Sequence, residues 1–142
     1  MALDSTGRAH WEGDLTSGSG TATLDTGAVG PMQVTWDARS EEHAGMTSPE
    51  ELMAAAHAAC YAMALNATVG KKGGAIAKTT ITCKVTADKG DAGITITTSA
   101  LSLTVEGLTG IEASAFPEVA EAAKNGCPVS KALAAVPEIT LD

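Results

Sequence analysis

Hydrophobic and polar positions change rhythm three times along the chain. Residues 8–13, 21–24 and 32–36 are short segments, and Met32, Val34 and Trp36 alternate with polar neighbours as a half-buried strand does. Turns rich in Ser, Thr and Gly separate them at 15–20 and 25–27, so an antiparallel meander is expected. Residues 37–46 are charged and read as a connecting loop. From Thr47 to Gly70 the pattern turns apolar almost all round, TSPEELMAAAHAACYAMALNATVG. Ser48 as cap, Pro49 at the first helical position and Glu51 three residues after Ser48 mark a helix start with a capping box. The helix is expected to end near Val69, with Gly70 as its left-handed cap. Met53, Ala56, Cys60, Met63 and Ala64 share one stripe of it.

Beyond a Lys71-Lys72-Gly73-Gly74 turn, residues 75–89 alternate again, with Ile81, Cys83, Val85 and Ala87 on one face. A hairpin loop leads into a strand over 94–105. Its apolar phase changes between Ile94 and Ile96 and the later set Leu101, Leu103 and Val105, which calls for a bulge near 98–100. A helix then begins near Ser114 and ends at Lys124-Asn125-Gly126. A shorter one is expected over 128–135 with Cys127 at its cap, and 138–141 reads as a closing strand. The order is α+β: antiparallel sheets packed on a long central helix, in a single domain over 1–142.

Composition narrows the class. Aromatics are only 3% of the 142 residues, so Ala, Val, Leu, Ile and Met must build the core. A net charge of −8 offers no basic stripe for phosphates, which excludes a nucleic-acid partner. The N-terminal stretch lacks a signal-like apolar core, and the run over 52–65 is broken by His57 and too short for a bilayer. A soluble, cytoplasmic protein with reduced cysteines is expected. The long helix spans roughly 30 Å, more than one small chain covers on every side. A homodimer that buries it follows.

Three cysteines then need separate explanations. Cys83, on an apolar strand face, reads as an inert core thiol. Cys127, at a helix N-terminus, has N–H groups that favour a thiolate. Cys60, in mid-helix, needs a cation from elsewhere; Arg39 is the best candidate and Glu50 a partner to aim it. Glu50 and Cys60 are ten residues apart, about 15 Å along a continuous helix. Either the helix breaks or Glu50 of one subunit serves Cys60 of the other. Other arrangements stand beside this one: zinc on His57, Cys60, Cys127 and His43, a hydrolase triad on Ser130 and His57, or cysteines that merely fill a dimeric core. On the residues alone, core filler and redox chemistry stand level.

Two stretches tip that balance. TSPEELMAAAHAACYAMAL over 47–65 and NGCPVSKAL over 125–133 resemble the paired motifs of the osmotically inducible protein C and organic hydroperoxide resistance family of thiol peroxidases. Ser48 stands where that family commonly has Asn, and Tyr61 where Phe is common. The resemblance implies an intertwined homodimer with sites at the subunit interface. It makes Cys60 the peroxidatic cysteine, Cys127 the resolving one, and Glu50 and Arg39 the charged pair. Arg39, in the loop before the helix, matches the osmotically inducible branch; Arg8 lacks the Gly-Gly-Arg setting of the other. The implied activity is reduction of organic hydroperoxides, with hydrogen peroxide as a second substrate. It uses an external thiol reductant, such as a dihydrolipoyl protein, and no metal, flavin or haem cofactor.

Overall fold

The computed structural model describes residues 1–142, and the chain divides into two compact units, Met1–Leu52 and Met53–Asp142. In the first, β1 (Gly7–Glu12), β2 (Ser19–Leu24) and β3 (Met32–Val34) form the expected antiparallel meander in that order. Asp14 closes the β1–β2 turn. Its carboxylate accepts from the N–H and hydroxyl groups of Ser17 and Thr16, which holds its pKa down at about 2. Gly20 is paired with Trp11, and a Cβ there would strike the His10 carbonyl and the Trp11 ring.

A short helix, α1 (Trp36–Ser40), takes the last residue of the expected third strand and opens the segment expected to be a loop. The Thr35 hydroxyl caps it, accepting from the Ala38 N–H at 3.1 Å. Five residues are too few to show a helical period, so only the cap betrays it.

Helix α2 (Pro49–Lys71) runs unbroken for 23 residues. The Ser48 hydroxyl accepts from the Glu51 N–H at 3.1 Å, but the box closes by half: the Glu51 carboxylate takes the Thr47 hydroxyl at 2.6 Å instead. The far end also differs. Gly70 remains helical, and the left-handed residue is Gly73 (φ 80°). Gly74 N–H reaches the Val69 carbonyl and Gly73 N–H the Gly70 carbonyl, both at 3.0 Å, the two bonds of a Schellman cap.

In the second unit, β4 (Lys78–Gly90) and β5 (Gly93–Glu106) make a long antiparallel hairpin. The register shifts between Thr86 and Ala87, which leaves Thr97 as the extra residue on β5. This bulge lies one residue before the expected stretch and reconciles the two phases: Ile94 and Ile96 before it share a face with Ser99, Leu101 and Leu103 after it. A 3-10 turn at Ala113–Ala115 leads into α3 (Phe116–Gly126), and α4 (Pro128–Ala132) follows, three residues shorter than expected. Finally β6 (Glu138–Leu141) joins the other edge of β5 in parallel, so this sheet is mixed rather than antiparallel throughout.

The core of this unit is Tyr61, Leu65 and Val69 of α2 against Leu101 of β5 and Val119, Ala120 and Ala123 of α3. Leu65 and Val69, wholly removed from water, each contribute about 1.5–3 kcal/mol. The buried face of α2 lies beside the stripe of Met53, Ala56, Cys60, Met63 and Ala64 rather than on it. His57 and Tyr61 lie inside, while Ala56 is exposed and Met63 is 68% exposed. On a helix apolar all round, period alone cannot choose a face. The polar tips of Tyr61 and His57 lie inside because each has a partner; Tyr61 Oη donates to the Ala120 carbonyl at 3.0 Å.

Candidate active site

The α3–α4 corner brings Cys127 to Cys60. Pro128 fits the first position of α4 and lacks the N–H that would be orphaned there, so Cys127 becomes the cap residue. Its extended backbone turns the side chain toward α2, and the two free sulfurs lie 3.3 Å apart. Cys127 is wholly buried and Cys60 half-buried. Beside Cys60 opens a cavity of about 400 Å³, lined by Met63, Ala64, Ala67, Thr68, Lys71 and Pro128 among others.

The two thiols differ electrically. Burial opposes ionisation of Cys127. The N–H and hydroxyl of Ser130, the Cys60 thiol and the Val129 N–H outweigh it and hold the pKa below the ordinary value. Burial pushes Cys60 up, with only the Val129 N–H acting against it. Within this chain Cys127 therefore ionises more readily than Cys60. A disulfide needs the sulfurs at about 2.05 Å, so closing the pair takes a shift of about 1.3 Å.

Arg39 and Glu50 meet within the first unit. Arg39 Nη2 donates to Glu50 Oε1 at 2.7 Å, and Nε donates to Oε1 at 3.1 Å and Oε2 at 3.2 Å. The fork fixes the guanidinium in one plane. The Glu50 side chain is only 12% exposed, so this is not a loose surface pair. Arg8, in contrast, is tied to Asp25 across β1 and β2 by two exposed hydrogen bonds at 2.8 and 2.9 Å.

Beside the cysteines is a network that sequence reasoning did not assemble. His57 is wholly buried, its Nδ1 lies 2.7 Å from Ser99 Oγ, and its Nε2 lies 2.8 Å from Ser130 Oγ. Cys83, expected to be inert filler, is half-buried with Sγ 3.4 Å from Ser99 Oγ. Burial raises its pKa and keeps it a thiol. A zinc site does not form. Both His57 nitrogens are taken by hydroxyls, and no three ligating side chains converge. A hydrolase triad does not form either, because the group behind His57 is Ser99 rather than a carboxylate.

A buried cysteine pair carried on a long helix and a short capped one, in an α+β chain, defines a thiol-redox class of protein. Comparison with known sequences names it further. The model of the OsmC-like protein family matches residues 42–142, and the chain belongs to that family. It is 44% identical to the Peroxiredoxin OsmC of Escherichia coli, over all of this chain and 96% of that protein, and equally to that of Shigella flexneri. Among solved structures, an organic hydroperoxide resistance protein OsmC from Legionella pneumophila superposes with a TM-score of 0.76 at 22% identity, covering 99% of this chain and 97% of that one. The organic hydroperoxide resistance protein OhrB of Bacillus subtilis gives 0.73 at 24% identity, covering 96% of each. These two share the fold.

Proposed function

We infer that the protein is a cysteine-based peroxidase that reduces organic hydroperoxides. The single observation that carries this reading is the pair of free sulfurs at 3.3 Å, one of them beside an apolar cavity. The names of the relatives, peroxiredoxin and organic hydroperoxide resistance protein, point to the same chemistry.

In this reading Cys60, as thiolate, attacks one oxygen of the hydroperoxide. The O–O bond breaks, and the other oxygen leaves as alkoxide and takes up a proton to become alcohol. Cys60 is left as a sulfenic acid. Cys127 then attacks the Cys60 sulfur; the S–S bond forms, the S–O bond breaks and water leaves. An external dithiol, such as a dihydrolipoyl protein, restores both thiols by exchange and is itself oxidised. The apolar wall at Met63, Ala64 and Ala67 favours alkyl hydroperoxides over hydrogen peroxide.

The Arg39–Glu50 pair supplies the charge that Cys60 lacks within its own surroundings. Glu50 and Cys60 are ten residues apart on an unbroken helix, about 15 Å along its axis. The reading therefore gives each Cys60 the Arg39–Glu50 pair of a second subunit in a homodimer. Helix α2 supports this with an exposed face of Ala55, Ala56, Ala59, Met63 and Ala67, whose small side chains admit close approach. The helix has the length and apolarity to cross a bilayer, but this face is read as a subunit contact.

The test is a thiol count. Reduced protein treated with stoichiometric cumene hydroperoxide and then denatured is expected to fall from the three free thiols of the reduced chain to one, the survivor being Cys83. Three surviving thiols would refute the peroxidase.

A further inference from the structure

The chemistry above leaves a buried row of polar atoms unused. It starts at Cys83 on β4, passes to Ser99 Oγ at 3.4 Å, to His57 Nδ1 at 2.7 Å, and from His57 Nε2 to Ser130 Oγ at 2.8 Å. Ser130 stands three residues beyond Cys127 in α4, and its hydroxyl is among the groups that hold the Cys127 pKa below the ordinary value; the Cys127 sulfur lies 3.3 Å from that of Cys60. His57 and Ser99 are wholly buried and Ser130 nearly so. No buried side-chain oxygen or nitrogen lacks a partner.

Each link of the row has one proton to give. A hydroxyl donates once, and a neutral imidazole donates from one nitrogen and accepts at the other. A thiolate at Cys127 takes the Ser130 proton. Ser130 Oγ must then accept from His57 Nε2–H, Nδ1 accepts the Ser99 proton, and Ser99 Oγ accepts the Cys83 S–H. Every link is satisfied in that order, and the Cys83 sulfur also lies 3.8 Å from His57 Nδ1. A thiol at Cys127 has its own proton to donate, and the whole row can run the other way, with His57 protonated on Nδ1.

We propose that His57 and Ser130 are positioning residues for Cys127, a hydrogen-bonded row that holds it as the attacking thiolate and inverts its direction when that sulfur gains a proton. The proposal rests on the reading of Cys127 as the resolving cysteine. In the resolving step the Cys127 sulfur supplies the electron pair of the new S–S bond, the S–O bond to Cys60 breaks, and the departing hydroxide takes the proton that Cys127 gave up. Ser130 contributes by offering its hydrogen to the sulfur before attack. His57 contributes by filling the Ser130 oxygen, which would otherwise be a buried acceptor without a donor.

The ionisable groups around Cys127 leave this role to the row. Cys60 and Tyr61 face it from α2. Glu121 on α3 acts on Tyr61 and is held by Lys124 at 2.9 Å. Lys131 on α4 is exposed. Burial keeps His57 neutral, as a row with two directions requires.

The test follows thiolate absorbance near 240 nm against pH in Cys60→Ser protein. Ser130→Ala should move the Cys127 midpoint up by roughly one pH unit. In protein that keeps both cysteines, it should slow disulfide formation after a peroxide pulse about tenfold at pH 7. Ser130→Thr should restore both, and His57→Gln should shift the midpoint in the same direction. If the alanine variant does not fold, nitrogen-15 spectra of His57 in unsubstituted reduced protein decide instead: the proton should move from Nδ1 to Nε2 as Cys127 ionises. An unmoved midpoint, a threonine variant as slow as alanine, or a fixed tautomer overturns the proposal. Failure of the peroxidase reading shows separately, as absence of sulfenic acid on Cys60 in Cys127→Ser protein.

Discussion

The Arg39–Glu50 pair and the Cys60–Cys127 pair are built by opposite means. Arg39 and Glu50 hold each other through a charged fork, with water still at the guanidinium. The cysteines are held without any full charge, against each other at 3.3 Å and at the edge of a packed core. The first arrangement offsets the desolvation of Glu50 with a paired charge; the second keeps a thiol in an apolar place, where burial resists ionisation. Neither suffices for a nucleophile at Cys60. Arg39 has charge without sulfur, and Cys60 has sulfur without charge. In the chain's own surroundings Cys127 ionises more readily than Cys60.

The comparison breaks most sharply at the fork. Arg39→Ala should lower kcat/KM for cumene hydroperoxide about 10³-fold, and Arg39→Lys, which keeps charge but loses the fork, about 10- to 100-fold. A steady-state assay with a dithiol reductant reads both. If Lys matches Arg, charge alone suffices and the geometry of the fork is idle.

A smaller effect concerns the packed pair. Burial depresses the pKa of His57 below 6.5, so the folded state resists its protonation. Its contribution to stability is complete above pH 6.5 and is lost as pH falls from there toward the folded-state value. Thermal melts at pH 7 and pH 5 should show a larger drop in Tm for the unsubstituted protein than for His57→Gln. Equal drops would mean that other groups carry the acid sensitivity.

The smallest effect is expected at Arg8. Its bond to Asp25 matches the Arg39 fork in geometry but lies in water, and such pairs contribute about 0–1 kcal/mol. Arg8→Ala should leave kcat/KM unchanged and shift Tm by no more than a few degrees. A large loss of activity would move the catalytic charge from Arg39 to Arg8.

What the sequence made legible follows from range. The start of α2 was legible because Ser48, Pro49 and Glu51 act on neighbouring backbone groups. The end was misread by three residues because Gly70 and Gly73 are equally permissive and the Gly74 N–H bond chooses between them. The cysteine pair lies 67 residues apart in sequence, and only the resemblance chose the redox pairing of Cys60 with Cys127 over the zinc and core-filler readings. The His57 row joins residues 42 and 73 apart, and no local pattern marks it. Its traces were the pairing of Ser130 with His57 in the triad reading, and Ser99 on an apolar strand face and His57 on an apolar helix, polar groups where burial demands a partner. The buried face of α2 stayed hidden for the opposite reason, since apolar residues surround the whole helix.

The bulge at Thr97 makes chain length itself a determinant of the site. One surplus residue sets the parity of everything after it, so that Ser99 rather than its neighbour stands beneath His57 and Leu101 turns toward the core. Deleting Thr97 would change no chemical group at the site, yet it would put β5 out of step with itself. Either Ile94 and Ile96 would face water, or Ser99, Leu101 and Leu103 would. Point substitutions along this strand test side chains one at a time; a one-residue deletion tests the counting that aligns them.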